Sequence, residues 1–171
     1  MLKKILSGGQ TGADSAALDF AIWHEIPHGG WCPKGRLCEN GTIDPRYQLK
    51  ETSTKNYPQR TGKNVLDSDG TVIFAMSPKL TGGSKKTAEL AAKHQKPWIH
   101  LHPRSGGYDG PELLLLQFLS EHNIETLNVA GTRASKEPDV YKFVKYTLER
   151  ALFPRQIFRW SPEKAETWCK P

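Results

Sequence analysis

Lys3-Lys4-Ile5-Leu6-Ser7-Gly8-Gly9-Gln10-Thr11-Gly12-Ala13-Asp14-Ser15-Ala16-Ala17-Leu18-Asp19-Phe20-Ala21-Ile22 is the stretch whose reading decides the fold. Lys3 to Leu6 is a short apolar run halted by paired glycines, the pattern of a buried strand. From Ala13 the period changes. Ala17, Leu18, Ala21 and Ile22 fall at helical spacing and predict a helix over Ala13–Glu25. A strand, a glycine turn and a helix in that order open an α/β unit.

The same alternation continues outward. Ile26-Pro27-His28 reads as a weak second strand. Residues 31–56 carry Pro, Gly, Lys and Asn without a strong period and read as a long loop, with Tyr47–Thr52 a candidate strand. Asn56–Leu66 predicts a polar helix and Thr71–Met76 a buried strand. Ser84–His94 predicts a helix with Ala88, Ala91 and Ala92 inward. Pro97–Leu101 predicts a strand, Pro111–His122 a helix, Thr126–Ala130 a strand and Glu137–Leu152 a helix striped by Val140, Val144, Leu148 and Ala151. The whole predicts a Rossmann-like, doubly wound α/β domain over 1–152: a mainly parallel sheet with helices on both faces. The aromatic tail, 153–171, is expected to pack on the domain or on a neighbouring subunit.

Length and charge bound the function. At 171 residues there is room for one ordinary domain. No apolar run approaches the ~18 residues of a membrane span. No signal-peptide h-region follows Met1, and the odd count of three cysteines (Cys32, Cys38 and Cys169) suits reduced thiols, so a cytoplasmic location is expected. The net charge of +6 favours anionic partners. It is diffuse rather than a stripe, which argues against nucleic acid. His24, His28, Cys32 and Cys38 lie close in sequence, but C-x5-C is no zinc spacing and no second cluster exists, so no directly bound structural metal is expected. His100 and His102 alternate at a strand end, where hydrogen bonding is the commoner role. Leu113 to Leu116, Phe118 and Leu119 make one helix apolar almost all round, which predicts a homo-oligomer built through 111–122.

In doubly wound sheets, ligands bind beyond the carboxyl ends of the strands, so the strand-to-helix loops hold the candidate site. Ser7, Gly8, Gly9, Gln10, Thr11, Gly12 and Asp14 form the first such loop. Its glycines permit close approach by an anion to a helix N-terminus. Gly82, Gly83, Ser84, Lys85 and Thr87 form a second, with lysines in a first turn where acids are usual. Gly131 and Arg133 follow the last strand, and Arg133 is suited to gripping a phosphate or carboxylate. Trp31, Lys34 and Arg36 add a ring to stack on and two cations. Asp14 and Glu89 are the candidate catalytic acids, should there be a reaction. The expected function is that of a binding or carrier protein for a phosphorylated, ring-containing anion. A nucleotide N-glycosidase and a nucleic-acid-binding module are the alternatives.

Ser7 to Asp14, Pro27 to Arg36 (Pro-His-Gly-Gly-Trp-Cys-Pro-Lys-Gly-Arg), Thr81 to Thr87 and Leu127 to Gly131 together resemble the molybdenum carrier family of bacteria. The resemblance runs from Lys3 to about Leu152. It implies a Rossmann-like fold shared with molybdenum cofactor carriers, lysine-decarboxylase-like nucleotide phosphoribohydrolases and DNA-processing proteins. It also implies a phosphate pocket formed by the two glycine loops, with the molybdenum cofactor or a nucleotide as ligand. Two departures stand out. Ser15 occupies the place where the resemblance leads one to expect Arg. In the hydrolase pattern P-G-G-x-G-T-x-x-E, Gly82, Gly83 and Glu89 match, but Thr81, Lys85 and Lys86 do not, which weakens the case for hydrolysis.

Overall fold

Pairs of glycines stop the first strand, and hydrophobic periodicity restarts the chain as a helix at Ala13, as the sequence predicts. The structure, a computed structural model, describes residues 2–154. In chain order the elements are β1 (Lys4–Leu6), α1 (Ala13–Trp23), β2 (His28–Gly29), β3 (Trp31–Cys32), β4 (Leu37–Cys38), β5 (Gly41–Thr42), β6 (Lys50–Glu51), α2 (Tyr57–Leu66) and β7 (Gly70–Phe74). Then come α3 (Gly82–Lys93), β8 (Trp98–Leu101), α4 (Gly110–Glu121), β9 (Thr126–Gly131) and α5 (Val140–Leu152).

Five strands form one sheet in the order β2-β1-β9-β7-β8, and every pairing is parallel. The last strand, β9, enters the middle, between β1 and β7. Every residue of β7 is buried, as a parallel strand covered on both faces must be. α1 fits tightly against the sheet because Ala13, Ala16, Ala17 and Ala21 leave no bulk there, while Phe20 fills the core beside Val144 and Leu148 of α5. The result is a single α/β domain with a Rossmann-like arrangement.

Several expected boundaries shift for local reasons. α1 stops at Trp23 because Glu25 takes a left-handed φ of 55°. α3 begins two residues early, at Gly82, whose φ of 51° is left-handed, and Ala92 is exposed rather than inward. α5 begins at Val140, beyond Pro138. α4 buries Leu115 and Phe118 but leaves Leu113 and Leu116 at 43% and 37% exposure, so within one chain it is covered on one side only. The tail beyond Pro154 lies outside the described residues. Of the expected tail, 153–171, Phe153 is described and stacks on His24 at 4.1 Å between ring centroids.

The 31–56 segment is not a bare loop. It is a small subassembly of two-residue strands, β3 paired with β6 and β4 with β5. Cys32, Ile43 and Tyr47 pack with Leu18 of α1 into a second hydrophobic cluster. Tyr47 and Tyr141 both donate their hydroxyls to Asp19, each at 2.7 Å, and so tie this segment to α1 and α5. The candidate strand at 47–52 is realised only as Lys50–Glu51.

Candidate functional site

At the carboxyl ends of β1, β9 and β7 lies a cleft of about 250 Å³. This is the position where doubly wound sheets place ligands. Its floor is Asn128 to Gly131 of β9, and its walls come from the β1–α1 loop, α2, the start of α3 and the β9–α5 loop. Three cations line it (Arg60, Arg133 and Lys136) against one carboxylate, Asp14.

The first glycine loop is a packed joint rather than an open cradle. Gly9 and Gly12 have φ of 74° and 80°. A Cβ on Gly12 would stand 2.6 Å from the Thr132 carbonyl oxygen, so only glycine fits there. The loop's amides are largely taken within the protein: Gln10 N–H donates to Asp14 Oδ2, Thr11 N–H to Gln10 Oε1, and Ala13 N–H to the Thr132 carbonyl. Ser7 Oγ donates to the Val129 carbonyl at 2.7 Å, and Ser15 Oγ to the Gly12 carbonyl. Ser7, Gly9, Thr11 and Gly12 therefore serve the fold here, and of this loop Gly8, Gln10 and Asp14 reach the cleft.

Gln10 is the most informative of these. Its Oε1 accepts from the amides of Thr11 and Glu39, at 3.1 and 2.9 Å. Two backbone donors on one atom settle which end of the amide is oxygen. Its Nε2 is therefore a donor, and it is buried with no partner among the described residues. Glu39, from β4's end, clamps this corner: its carboxylate accepts from Thr11 Oγ1, Ser135 Oγ and Ser135 N–H. Burial alone would raise its pKa, but those hydrogen bonds outweigh burial and hold the Glu39 carboxyl below the usual range.

Arg60 supplies the cation that Ser15 does not. Its Nη1 lies 2.9 Å from Asp14 Oδ2; Asp14 is buried and Arg60 largely so. The guanidinium rests on Gly8: a Cβ there would stand 1.2 Å from Nη1. Arg60 Nε, like Gln10 Nε2, is buried with no partner among the described residues. The sequence reading missed Arg60, yet a signal was present. Tyr57, Arg60, Thr61 and Asn64 fall at i, i+3, i+4 and i+7, a stripe of one helix face made wholly of hydrogen-bonding side chains. All four line the cleft. Opposite them, the Arg133 guanidinium sits 4.9 Å from the Tyr57 ring centroid, a cation–π contact across the mouth.

The start of α3 is the open part of the site. Thr81 gives no side-chain cap, and the first hydrogen bond from this turn is Lys85 N–H to the Thr81 carbonyl at 3.2 Å. The amides of Gly82, Gly83 and Ser84 thus have no acceptor within the helix. A Cβ on Gly83 would meet nothing within 4 Å, and Lys136 Nζ lies 3.6 Å from where a Cβ on Gly82 would stand. Thr87 lines the cleft with its hydroxyl donated to the Gly83 carbonyl. Gly131 lines it too, its missing side chain making room for Phe74 and Ala13.

Other candidates stand elsewhere. Lys85 is exposed and outside the cleft, and Glu89 is exposed and paired with Lys86 at 3.1 Å. Trp31 donates from Nε1 to Asp67, and Lys63 Nζ covers its ring at 3.8 Å. Arg36 donates to the carbonyls of Ile43, Asp44, Tyr47 and Leu49, pinning the 31–56 segment from within. Lys34 is exposed on that segment's surface. None of the three lines the cleft. His24 is engaged by Glu149 at 2.6 Å, and burial pushes the Cys32 thiol pKa up. Among the described residues no three His, Cys, Asp or Glu side chains gather as a metal site. Burial foremost, then His102, lowers the pKa of His100. No described helix is long and apolar enough to cross a membrane.

No protein of curated function matches this chain. A crystal structure from Syntrophus aciditrophicus SB, of a protein named "Putative molybdenum carrier protein", is similar to it. The two are 48% identical with a TM-score of 0.85, over 88% of this chain and 95% of that one. Residues 5–152 match the model of the circularly permuted YpsA SLOG family. With the match spanning nearly the whole described domain, the chain belongs to the circularly permuted YpsA SLOG family.

Proposed function

We propose that the chain binds and carries a phosphorylated, ring-containing anion in this cleft: a nucleotide or the molybdenum cofactor. One observation carries the reading. Among the described residues, the cleft sets three cations against one carboxylate, and two of its buried donors, Gln10 Nε2 and Arg60 Nε, have no acceptor. Unmet buried donors are costly, and an anionic ligand satisfies them. The phosphate sits on the Gly82–Ser84 amides beside Lys136, and the ring reaches the Tyr57–Arg133 pair. This replaces the expected contribution of Trp31, Lys34 and Arg36.

The similar protein's name supports a carrier role. For the molybdenum cofactor, the metal travels in the cofactor's own chelate, so the protein need only hold the phosphate and the pterin. A cleft of about 250 Å³ suits one mononucleotide-sized molecule and not a nucleic-acid strand. N-glycosidic hydrolysis needs a carboxylate free to face the sugar. Asp14 is tied to Arg60 and to Gln10 N–H, and Glu89 lies outside the cleft, so binding without turnover is the better reading. Self-association through the exposed Leu113 and Leu116 of α4 belongs to the same proposal, and light scattering that returns a stable monomer overturns that part.

Titration calorimetry with nucleoside monophosphates and with isolated molybdenum cofactor tests the function. Saturable binding of one of them at millimolar concentration or below is the expected result. No binding of any overturns the proposal.

A further inference from the structure

The donors of this cleft fall into two groups rather than one. The first is the turn of α3 with Lys136, carried by the loops after β7 and β9. The second is Gln10 Nε2 with Arg60, carried by the loop after β1 and by α2. In the sheet, β1 and β7 are separated by β9, hence by two strand spacings, or about 10 Å. That spacing separates the loop after β1 from the turn of α3 and favours two anion positions over one.

The second group is a built position. Gln10 is 4% exposed, and its amide orientation is locked by two backbone donors on Oε1. Arg60 is held in place by Asp14, which takes Nη1 and leaves Nε unused. Asp14 neutralises part of the charge, so the position suits a group that accepts hydrogen bonds and carries about one negative charge.

We infer that the cleft takes a ligand with two separated anionic groups at opposite ends of one sugar or ring, as in a nucleoside bisphosphate. The inference rests on the proposed binding function and narrows its ligand class. One anionic end lies on the Gly82–Ser84 amides and Lys136. The other lies on Gln10 Nε2 and Arg60 Nε, with the ring between them near Tyr57 and Arg133.

The test compares three ligands on the wild-type chain by calorimetry at fixed ionic strength, in both adenosine and guanosine series: the 5′-monophosphate, the 5′-diphosphate and the 3′,5′-bisphosphate. The diphosphate adds charge beside the first group, whereas the bisphosphate adds it at the far end. The expected result is a bisphosphate Kd at least tenfold below that of the monophosphate and clearly below that of the diphosphate. In Arg60→Gln, checked for native circular dichroism, bisphosphate affinity falls at least tenfold and monophosphate affinity falls less, so the bisphosphate advantage drops below threefold. Arg60→Lys provides a second variant should Arg60→Gln not fold. A bisphosphate no tighter than the diphosphate overturns this inference and leaves the proposed function standing. Failure of every ligand in both series overturns both.

Discussion

Replacing Gly8 by Ala probes the contact on which the site's geometry depends. The new Cβ would stand 1.2 Å from Arg60 Nη1 and 2.9 Å from Asp14 Oδ2, so the guanidinium must leave. Gly8 carries no left-handed backbone, and backbone strain adds nothing. What is lost is the Arg60–Asp14 pair, whose side chains are 14% and 5% exposed. Deleting one member of a buried pair typically costs about 3–5 kcal/mol. Here Arg60 is displaced rather than deleted, and Asp14 keeps the Gln10 amide at 3.2 Å. A cost of about 2–3 kcal/mol follows, or roughly 5–10 °C in Tm for a domain of this size. Urea and thermal denaturation measure it. Gly83→Ala is the control: its Cβ meets nothing within 4 Å, so stability changes by less than about 0.5 kcal/mol. In an Arg60→Ala background, Gly8→Ala should add almost nothing, because the contact it breaks is already gone. A Gly8→Ala protein melting within 2 °C of wild type would refute the placement of Arg60 on Gly8.

Four further outcomes are expected. Lys136→Gln weakens nucleotide binding about tenfold, read by calorimetry, while Tm stays within about 2 °C, because Lys136 is exposed. Glu89→Gln changes neither binding nor stability measurably, since its ion pair is on the surface. Arg36→Ala lowers stability by about 2–3 kcal/mol and exposes 36–50 to proteolysis, because four carbonyls lose their donor. Glu39 has a folded-state pKa below its ordinary value, so its contribution to stability is present above that value, near 4.5, and is lost as pH falls through the lower folded one. Glu39→Gln should therefore destabilise the chain at pH 7 in urea titrations, and the difference from wild type should shrink as pH falls below 4.5.

The sheet was legible because its strands are buried on both faces and its helices carry clear stripes. Thr71–Met76 and the Val140–Ala151 stripe needed only local pattern. The 31–56 segment was not, because nothing local holds two-residue strands. Arg36 holds that segment together from within through four backbone carbonyls, and Asp19 ties it to α1 through Tyr47, so a cation that serves the fold has the same local look as a ligand cation. In the second glycine loop, α3 starts without a side-chain cap, a feature that Gly82 and Gly83 before a helical stripe made legible. In the first, glycines that admit a phosphate also admit close packing, and Gly12 packs against Thr132, which the local pattern does not distinguish. Arg60 escaped notice because a stripe of polar residues looks like a solvated face until a neighbouring loop covers it.

The central claim is that the cleft at the ends of β1, β9 and β7 holds a phosphorylated ring. A crystal structure of the chain with a nucleoside 5′-monophosphate tests it most directly. The account predicts the phosphate within hydrogen-bond distance of the Gly83 and Ser84 amides and Lys136 Nζ, with the base beside Tyr57 and Arg133. A ligand seated instead along Trp31, Lys34 and Arg36, or a cleft filled only by solvent at saturating ligand, would contradict it.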